Sequence, residues 1–258
     1  MKTIPLLLLF SLAGLASPMA HADGPPPNPD GWQYRLGAGV VVTPESIGSS
    51  STRYMPVPYV DIRYKDWFFL NPVDGVGVSH PFGGLVASIS LADDRNNREP
   101  SAGRKYRGLR PLSETAAARL KLDYDFGDFT SSAIVSSRLS NSVRRGTTLE
   151  LDGGYNVVTS PDLRINAGVS ARLMDSTFAR NLISVSPRDS LSSGLPVYRA
   201  GSGLLDAGVY AEGNYRLSEK WNVFSRIAVA RLEGDARRAP FVEKRTGTTF
   251  VMFASYTF

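Results

Sequence analysis

The stretch TTFVMFASYTF (residues 248–258) decides the fold class of this chain. Its residues alternate with period two, so that one face is mostly aromatic or apolar and the other carries hydroxyl groups beside Val251 and Phe253. Because successive side chains of a β-strand point to opposite faces, this alternation predicts an amphipathic strand. The apolar face includes Phe250, Met252, Ala254, Tyr256 and Phe258.

The aromatic residue at the end of this strand, Phe258, is a second indication. An amphipathic last strand that ends on an aromatic residue looks like the signal that the barrel-assembly machinery of Gram-negative bacteria reads. We therefore predict that the five residues of the apolar face form a C-terminal assembly signal and that this machinery is a partner of the chain.

The same alternation continues upstream through most of the chain. Leu120 and Leu122, for example, fall on the face opposite Arg119 and Lys121. Most of these segments have about 9–11 residues, the length of a tilted strand that crosses a bilayer, whereas ordinary strands average about 5–6. We predict strands at 32–42, 56–64, 67–72, 76–80, 85–91, 115–124, 129–138, 147–157, 163–172, 204–215, 221–231 and 247–258.

Two further patterns favour a membrane barrel over a water-soluble antiparallel sandwich or barrel, whose strands also alternate. Charged residues such as Arg119 and Glu150 fall in the middle of segments on the polar face, as a water-filled lumen permits. Aromatic residues such as Trp32 and Trp221 cluster at segment ends, as in the interfacial girdles of outer-membrane barrels. The predicted fold is therefore all-β, a transmembrane antiparallel up-and-down β-barrel.

The predicted number of strands is twelve, an even number as in bacterial single-chain barrels. Ten is the alternative, because the segments 67–72 and 76–80 are short and Pro72 interrupts their connection. Connections alternate between short and long, as expected for periplasmic turns and outer loops. Loops as long as 173–203 are usually functional or disordered, and a plug folded into the barrel is one hypothesis for it.

The first residues predict export from the cytoplasm. Lys2 precedes an apolar run from Ile4 to Ala16, and Ala20-His21-Ala22 matches the small-x-small pattern of a signal-peptide cleavage site. We predict a cleaved signal peptide at 1–22, a Pro-rich periplasmic lead-in at 23–31 and the barrel at 32–258. An N-terminal membrane anchor is the alternative, but the apolar run is short and no stop-transfer pattern follows. The predicted location is the cell outer membrane.

The composition argues against an enzyme. The sequence has no cysteine, which excludes thiol catalysis and Cys-ligated metal centres, and it has two histidines. Of these only His80, in the predicted turn segment SHPFGG, would survive export, and a Ser-His-Asp site needs a histidine beside a serine. The acidic residues Asp123 and Asp125 fall at a strand end, where solvation is the simpler interpretation. We predict no catalytic, cofactor-binding or metal-binding residues and no cofactor.

The net charge of +5 is partly concentrated in one predicted outer loop, 92–114. Guanidinium groups suit phosphate, and lipopolysaccharide carries phosphate at this surface. We predict contacts with lipopolysaccharide phosphate from Arg104, Lys105, Arg107 and Arg110. Ordinary solvation of a long loop is the alternative, and nucleic acid is not an expected partner of an exported barrel.

Three stretches resemble the MipA/OmpV family of outer-membrane proteins. The opening YRLGAGVVVTPESIGSSSTRYMPVPYVDIRYKDWFFL (34–70) is similar to the start of that family, with its Gly-x-Gly strand and Pro-rich second strand. The match of SGLPVYRAGSGLLDAGVYAEGNYRLSEKW (193–221) is more specific, and 226–258 completes it. Ile47 departs from the family, which usually has an aromatic residue there.

The resemblance implies a scaffold rather than an enzyme. The namesake of the family bridges a membrane-bound lytic transglycosylase and a bifunctional penicillin-binding protein, so that cutting of peptidoglycan is tied to its synthesis. The chain is therefore expected to link a murein lytic transglycosylase and a synthase at the cell envelope. A narrow outer-membrane pore or a small-ligand-binding barrel is the alternative, because twelve strands lie between filled eight-stranded and open sixteen-stranded barrels.

Overall fold

The computed structural model of the chain describes residues 31–94, 96–139 and 146–258. The predicted signal peptide 1–22 and nearly all of the lead-in 23–31 lie outside these residues. The strands are β1 (Trp32–Pro44), β2 (Thr52–Tyr64), β3 (Phe68–Asn71), β4 (Gly75–Phe82), β5 (Leu85–Asp94), β6 (Thr115–Phe126), β7 (Phe129–Arg138), β8 (Thr147–Thr159), β9 (Leu163–Met174), β10 (Gly203–Arg216), β11 (Trp221–Leu232) and β12 (Thr246–Thr257).

The strands form one closed antiparallel sheet. Each strand pairs with its neighbours in sequence, and β1 also pairs with β12, with Arg35 opposite Thr257. Phe258 continues this closure, because its N–H donates to the Tyr34 carbonyl at 3.1 Å. The predicted up-and-down barrel of twelve strands is therefore confirmed over the described residues.

Alternation along each strand divides the side chains between the outside of the barrel and its lumen. On β6, Leu120 and Leu122 are 44% and 39% exposed, whereas Arg119 and Lys121 are 6% and 8% exposed. The apolar face therefore forms the outer surface of the barrel and the charged face points inward, as the sequence predicts.

Leu205 departs from this division. Alternation along 204–215 predicts Leu205 on the outer face, but its side chain is fully buried. The register of β9 with β10 shifts between Leu204 and Asp206, and the extra residue of such a bulge turns out of the regular alternation. Leu205 therefore packs among the outer loops.

Two glycines let β1 lie close to β12. A Cβ atom at Gly37 would overlap the carbonyl of Ala254, and one at Gly39 would overlap the carbonyl of Met252. The Gly-x-Gly pattern thus serves the closure of the barrel, because no larger residue fits without moving the neighbouring backbone.

The barrel wall loses two strands toward its outer end. β3 has only four residues, and it pairs with β2 at Ile62, Arg63 and Tyr64 alone. β4 pairs with β5 no further than Leu91. The wall therefore contains twelve strands near the end with short turns and ten near the outer end. The predicted number of twelve describes the first half of the wall, and the alternative of ten describes the second.

Short turns and long loops lie at opposite ends of the barrel. The turns are 65–67, 83–84, 127–128, 160–162 and 217–220, and by the usual asymmetry this end faces the periplasm. Aromatic rings gather there, with Trp32 4.7 Å from Tyr64 and Trp221 5.4 Å from Tyr256 between ring centroids. This arrangement is typical of an interfacial girdle.

The prediction that His80 lies in a turn is wrong. β4 continues through Pro81 to Phe82, which pairs with Leu85, and Gly83 adopts a φ of +64° in the turn that follows. His80 is an exposed strand residue whose ring lies 4.6 Å from that of Phe82.

The outer loops contain short helices. They are the 3₁₀ turns Pro100–Ala102 and Arg104–Tyr106, α1 (Ser176–Phe178) with the π-helical turn Ala179–Ile183 that follows it, α2 (Pro187–Ser193) and α3 (Gly234–Arg238). No helix in the described part of the chain is both long and apolar enough to cross a membrane.

Candidate functional site

Inward-facing charges pair with one another across the lumen. A nitrogen of Arg226 donates to a carboxylate oxygen of Glu212 at 3.0 Å, and its guanidinium lies 3.6 Å from a carboxylate oxygen of Asp152. The same guanidinium stands over the Tyr210 ring, 3.9 Å from its centroid. Arg226 is only 4% exposed, so these contacts replace water around the charge.

Similar pairs recur around the barrel. They are Arg35 and Arg63 with Asp61, Lys121 with Asp123 and Asp74, Arg138 with Asp94, and Arg172 with Asp206. The predicted solvation of Asp123 is therefore wrong, because its strand face points into the lumen, where Lys121 lies 3.1 Å away.

A cavity of about 10 Å³ lies among these groups. It is lined by Phe69, Asp74, Ser88, Ser90, Arg119, Lys121 and Ile134. That volume holds about one water molecule. Within residues 31–94, 96–139 and 146–258, no group of three or more acidic or histidine side chains is arranged to hold a metal ion.

Beyond the outer ends of the strands, the loops pack into an apolar cluster that we call the cap. Its buried members are Ala102, Tyr106, Leu109, Leu112, Met174, Phe178, Ala179, Leu182, Ile183, Val185, Leu205, Leu232, Ala236, Ala239 and Phe241. They come from the connections β5–β6, β9–β10 and β11–β12, which start on different sides of the barrel. Loops from different sides can meet only across the mouth, so the cap covers it.

The 173–203 connection is therefore part of this cap rather than a plug inside the lumen. Phe178, Leu182 and Ile183 from its first half are 1%, 2% and 0% exposed. Further along, Val185 and Tyr198 exchange backbone hydrogen bonds of 2.9 and 3.0 Å, which fold the connection back on itself.

One buried ion pair joins two of the loops in the cap. Arg98 is 2% exposed, and it donates to the carbonyls of Ser184 and Arg110 at 3.0 and 3.1 Å. Its guanidinium also lies 3.7 Å from the carboxylate of Asp189, near the start of α2. Arg98 thus connects the β5–β6 loop with the β9–β10 loop.

Asp189 has further donors around its carboxylate. The Arg110 N–H donates to it at 3.0 Å and the Ser186 hydroxyl at 2.8 Å, and the backbone N–H of Ser186 donates to it within the capping box of α2. Burial alone would raise the pKa of this carboxyl, but the hydrogen bonds from Ser186 and Arg110 and the charge of Arg98 hold the pKa of Asp189 below its ordinary value.

The four predicted lipopolysaccharide contacts, Arg104, Lys105, Arg107 and Arg110, are exposed on the β5–β6 loop. Lys105 lies against the β11–β12 loop, since its backbone N–H donates to Glu243 at 3.1 Å and its ammonium group to the Val242 carbonyl at 3.3 Å. Arg110 instead adjoins α2 through Asp189. Lys105 and Arg110 therefore adjoin different loops of the cap.

The residues of the predicted assembly signal share the outer face of β12. Met252 and Phe258 are 42% and 60% exposed, and the Tyr256 ring lies 5.0 Å from that of Phe258. Val251 and Phe253 on the inner face are 0% and 4% exposed. Alternation thus assigns the two faces of this strand correctly.

Sequence reasoning missed Arg98 and Asp189, which join the loops of the cap. Ser186-Pro187-Arg188-Asp189 has the serine and acidic spacing of a capping box, which indicates a helix start. Nothing in that spacing indicates a partner on another loop.

These features define a class of protein. An antiparallel barrel with an apolar outside, an ionic lumen and aromatic rings at the end with short turns is an outer-membrane β-barrel. The model of the family described as MltA-interacting protein MipA matches residues 36–258. The chain belongs to that family.

Several solved structures are similar to this chain at low sequence identity. OmpT of Vibrio cholerae is 8% identical, with 88% of this chain and 97% of that chain covered and a TM-score of 0.38. Salmonella typhi OmpF, in a complex with daunomycin, is 10% identical, with 89% and 98% covered and a TM-score of 0.39. An anion-selective porin from Comamonas acidovorans is 9% identical, with 88% and 98% covered and a TM-score of 0.39. No curated protein matches the chain.

Proposed function

We propose that this chain is a non-enzymatic scaffold of the outer membrane that links a murein lytic transglycosylase to a synthase of the penicillin-binding type. The description of its family as MltA-interacting supports a lytic transglycosylase as one partner. The observation that carries the proposal is the packed cap over a lumen with buried ion pairs, because a barrel closed in this way would act through its surfaces.

The partners would meet the chain on its periplasmic side. A stable interface buries roughly 800 Å² on each partner, which is more than turns such as 83–84 or 127–128 offer. We therefore propose that the Pro-rich lead-in 23–31, freed by cleavage of a signal peptide at 1–22, supplies the rest of the contact. An extended Pro-rich segment suits this role, since it loses little conformational freedom on binding.

A narrow pore or small-ligand barrel is the alternative function. The packed cap counts against it. We propose in addition that Arg104, Lys105, Arg107 and Arg110 contact lipopolysaccharide phosphates. We also propose that the barrel-assembly machinery recognises the outer face of β12.

The scaffold role is tested by affinity capture from solubilised envelopes. We expect the tagged chain to capture a lytic transglycosylase and a penicillin-binding protein, and deletion of 24–30 to abolish most of that capture. A matched control is Leu191→Ala on α2, which is 90% exposed at the opposite end of the barrel and should capture both enzymes unchanged. Capture of no peptidoglycan enzyme by the unaltered chain would contradict the proposal.

A further inference from the structure

The outer half of the barrel wall is interrupted between β2 and β5. β3 pairs with β2 only at Ile62–Tyr64, and β4 pairs with β5 no further than Leu91. In the described part of the chain, no strand therefore pairs with the β3-facing edge of β2 over 52–61. We call this edge, together with the turn 72–74 and the end of β5 at 92–94, the seam.

The backbone of β2 is suited to an unpaired edge. The Lys65 N–H, just beyond β2, donates to the Gly31 carbonyl before β1 at 2.7 Å. Because hydrogen-bonding direction alternates along a strand, odd-numbered residues of β2 face β1 and even-numbered residues face the seam. Pro56 and Pro58 are both even-numbered, so they remove two donors that would be unsatisfied in hydrocarbon. Prolines on an edge also oppose the addition of another strand, which favours a ligand that is not a peptide.

Side chains hold the seam together where a ladder of backbone bonds is missing. Arg119, pointing inward from β6, donates to the carbonyl of Val73 at 2.9 Å and to that of Asp93 at 3.2 Å. The Asn71 side chain accepts the N–H groups of Val73 and Asp74 at 2.8 and 2.7 Å. The turn is therefore folded toward the lumen and fixed there by a few polar contacts.

The two sides of the seam have different linings, and the side next to β2 is apolar. Val41, Val57, Val251 and Phe253 form a buried cluster, and Val73 of the turn packs against it. The other side of the seam is ionic, because Asp74 of the turn lies 3.7 Å from Lys121 and Asp94 at the end of β5 lies 3.2 Å from Arg138. The apolar side next to β2 suits an acyl chain from the membrane, whereas the charges on the ionic side are already paired with one another.

We propose that the seam binds an acyl chain of one lipopolysaccharide molecule, which extends from the outer leaflet along the unpaired edge of β2 beside the turn 72–74. The seam occupies the outer half of the wall, where this lipid is the neighbour. The loop that follows β5 exposes the basic residues Arg104, Lys105, Arg107 and Arg110, and these suit the phosphates of the same lipid. The inference does not depend on the scaffold role, and its test uses no murein enzyme.

Single cysteine labels can test the seam, because the chain has no cysteine of its own. Val73→Cys would carry a fluorophore at the seam. Ser136→Cys is the matched control, since Ser136 is 9% exposed, faces inward opposite Arg119 and lies on a strand paired on both sides. Both full-length variants are reconstituted in vesicles of phospholipid with brominated chains, with and without unbrominated lipopolysaccharide.

We expect bromine to remove most of the emission at Val73 and little at Ser136, and lipopolysaccharide to restore the Val73 emission. Equal and negligible quenching at both positions would show a sealed wall and overturn the proposal. Quenching at Val73 that lipopolysaccharide does not relieve would assign the seam to phospholipid and overturn it as well. If Val73→Cys fails to fold, native mass spectrometry of the unaltered chain replaces it: we expect one retained lipopolysaccharide, and none would overturn the proposal.

Discussion

The lumen and the cap close the same barrel by opposite means. In the lumen, charged side chains from regular strands pair with one another, as Arg226 does with Glu212 and Asp152. In the cap, apolar side chains from irregular loops exclude water, as around Phe178. A soluble protein has its apolar core inside, whereas the apolar core of this chain lies among the outer loops. The apolar side chains of the strands face lipid on the outside of the barrel instead.

The two regions also differ in what holds them in place. Lumen residues are positioned by the backbone ladder of the barrel, so one pair can fail without moving the strands. Cap residues are positioned by packing against one another and by the pair Arg98 and Asp189. We therefore expect changes in the lumen to lower the stability of the whole barrel and changes in the cap to open the loops alone.

The largest effect is expected from Arg226→Ala. It leaves the carboxylates of Glu212 and Asp152 buried without their cation, and breaking a buried pair in this way costs about 3–5 kcal/mol of the free energy of unfolding. The measurement is urea unfolding in vesicles, followed by the gel mobility of the folded barrel. Arg231→Ala is the control, because Arg231 is 56% exposed in its pair with Glu233, and it should cost less than about 1 kcal/mol. Equal losses for the two variants would argue against an ionic core.

A smaller effect, confined to the loops, is expected from Leu182→Ala. Leu182 is 2% exposed, and truncating such a residue costs about 2–5 kcal/mol of local packing. Protease added outside intact cells should cleave the β9–β10 loop faster, while the barrel keeps its heat-modifiable migration on gels. Leu191→Ala, at a 90% exposed position in the same loop, should leave the cleavage rate unchanged. An equal rise in both variants would mean that the cap is not packed.

The smallest effect concerns pH. Because the pKa of Asp189 is held below its ordinary value, its carboxylate stabilises the cap fully above about pH 4, near the pKa of an unfolded aspartate. That stabilisation is lost as the pH falls through the lowered pKa. Protection of the β9–β10 loop from an acid-active protease should therefore decline on acidification, and Asp189→Asn should remove much of the decline. If protection declines as much in that variant, the decline is caused by other carboxylates, such as Glu243, whose pKa is also lowered.

The sequence predicts the lumen better than the cap, and the reason is periodicity. Alternation places Arg226 and Glu212 on inward faces, but it does not say that Arg226 also meets Asp152, because β8 and β11 are not adjacent. Tyr106, Phe178 and Phe241 of the cap lie in loops without a period, so no pattern brings them together.

Local irregularities limit the prediction elsewhere. Pro72 indicates a short and irregular hairpin, but it does not indicate that the turn folds toward the lumen, which depends on contacts with Asn71 and Arg119. Leu205 is assigned to the wrong face because a single bulge reverses the alternation. In both places the structure departs from the regular strand pairing that prediction from alternation assumes.

The central claim, that the lumen is filled and the mouth covered, is tested most directly by single-channel recording of the purified chain in planar lipid bilayers. We expect no steps of open current for the unaltered chain at moderate voltage, since the described lumen is packed with ion pairs beneath the cap. Regular ohmic steps from the unaltered chain would contradict the account and favour the pore.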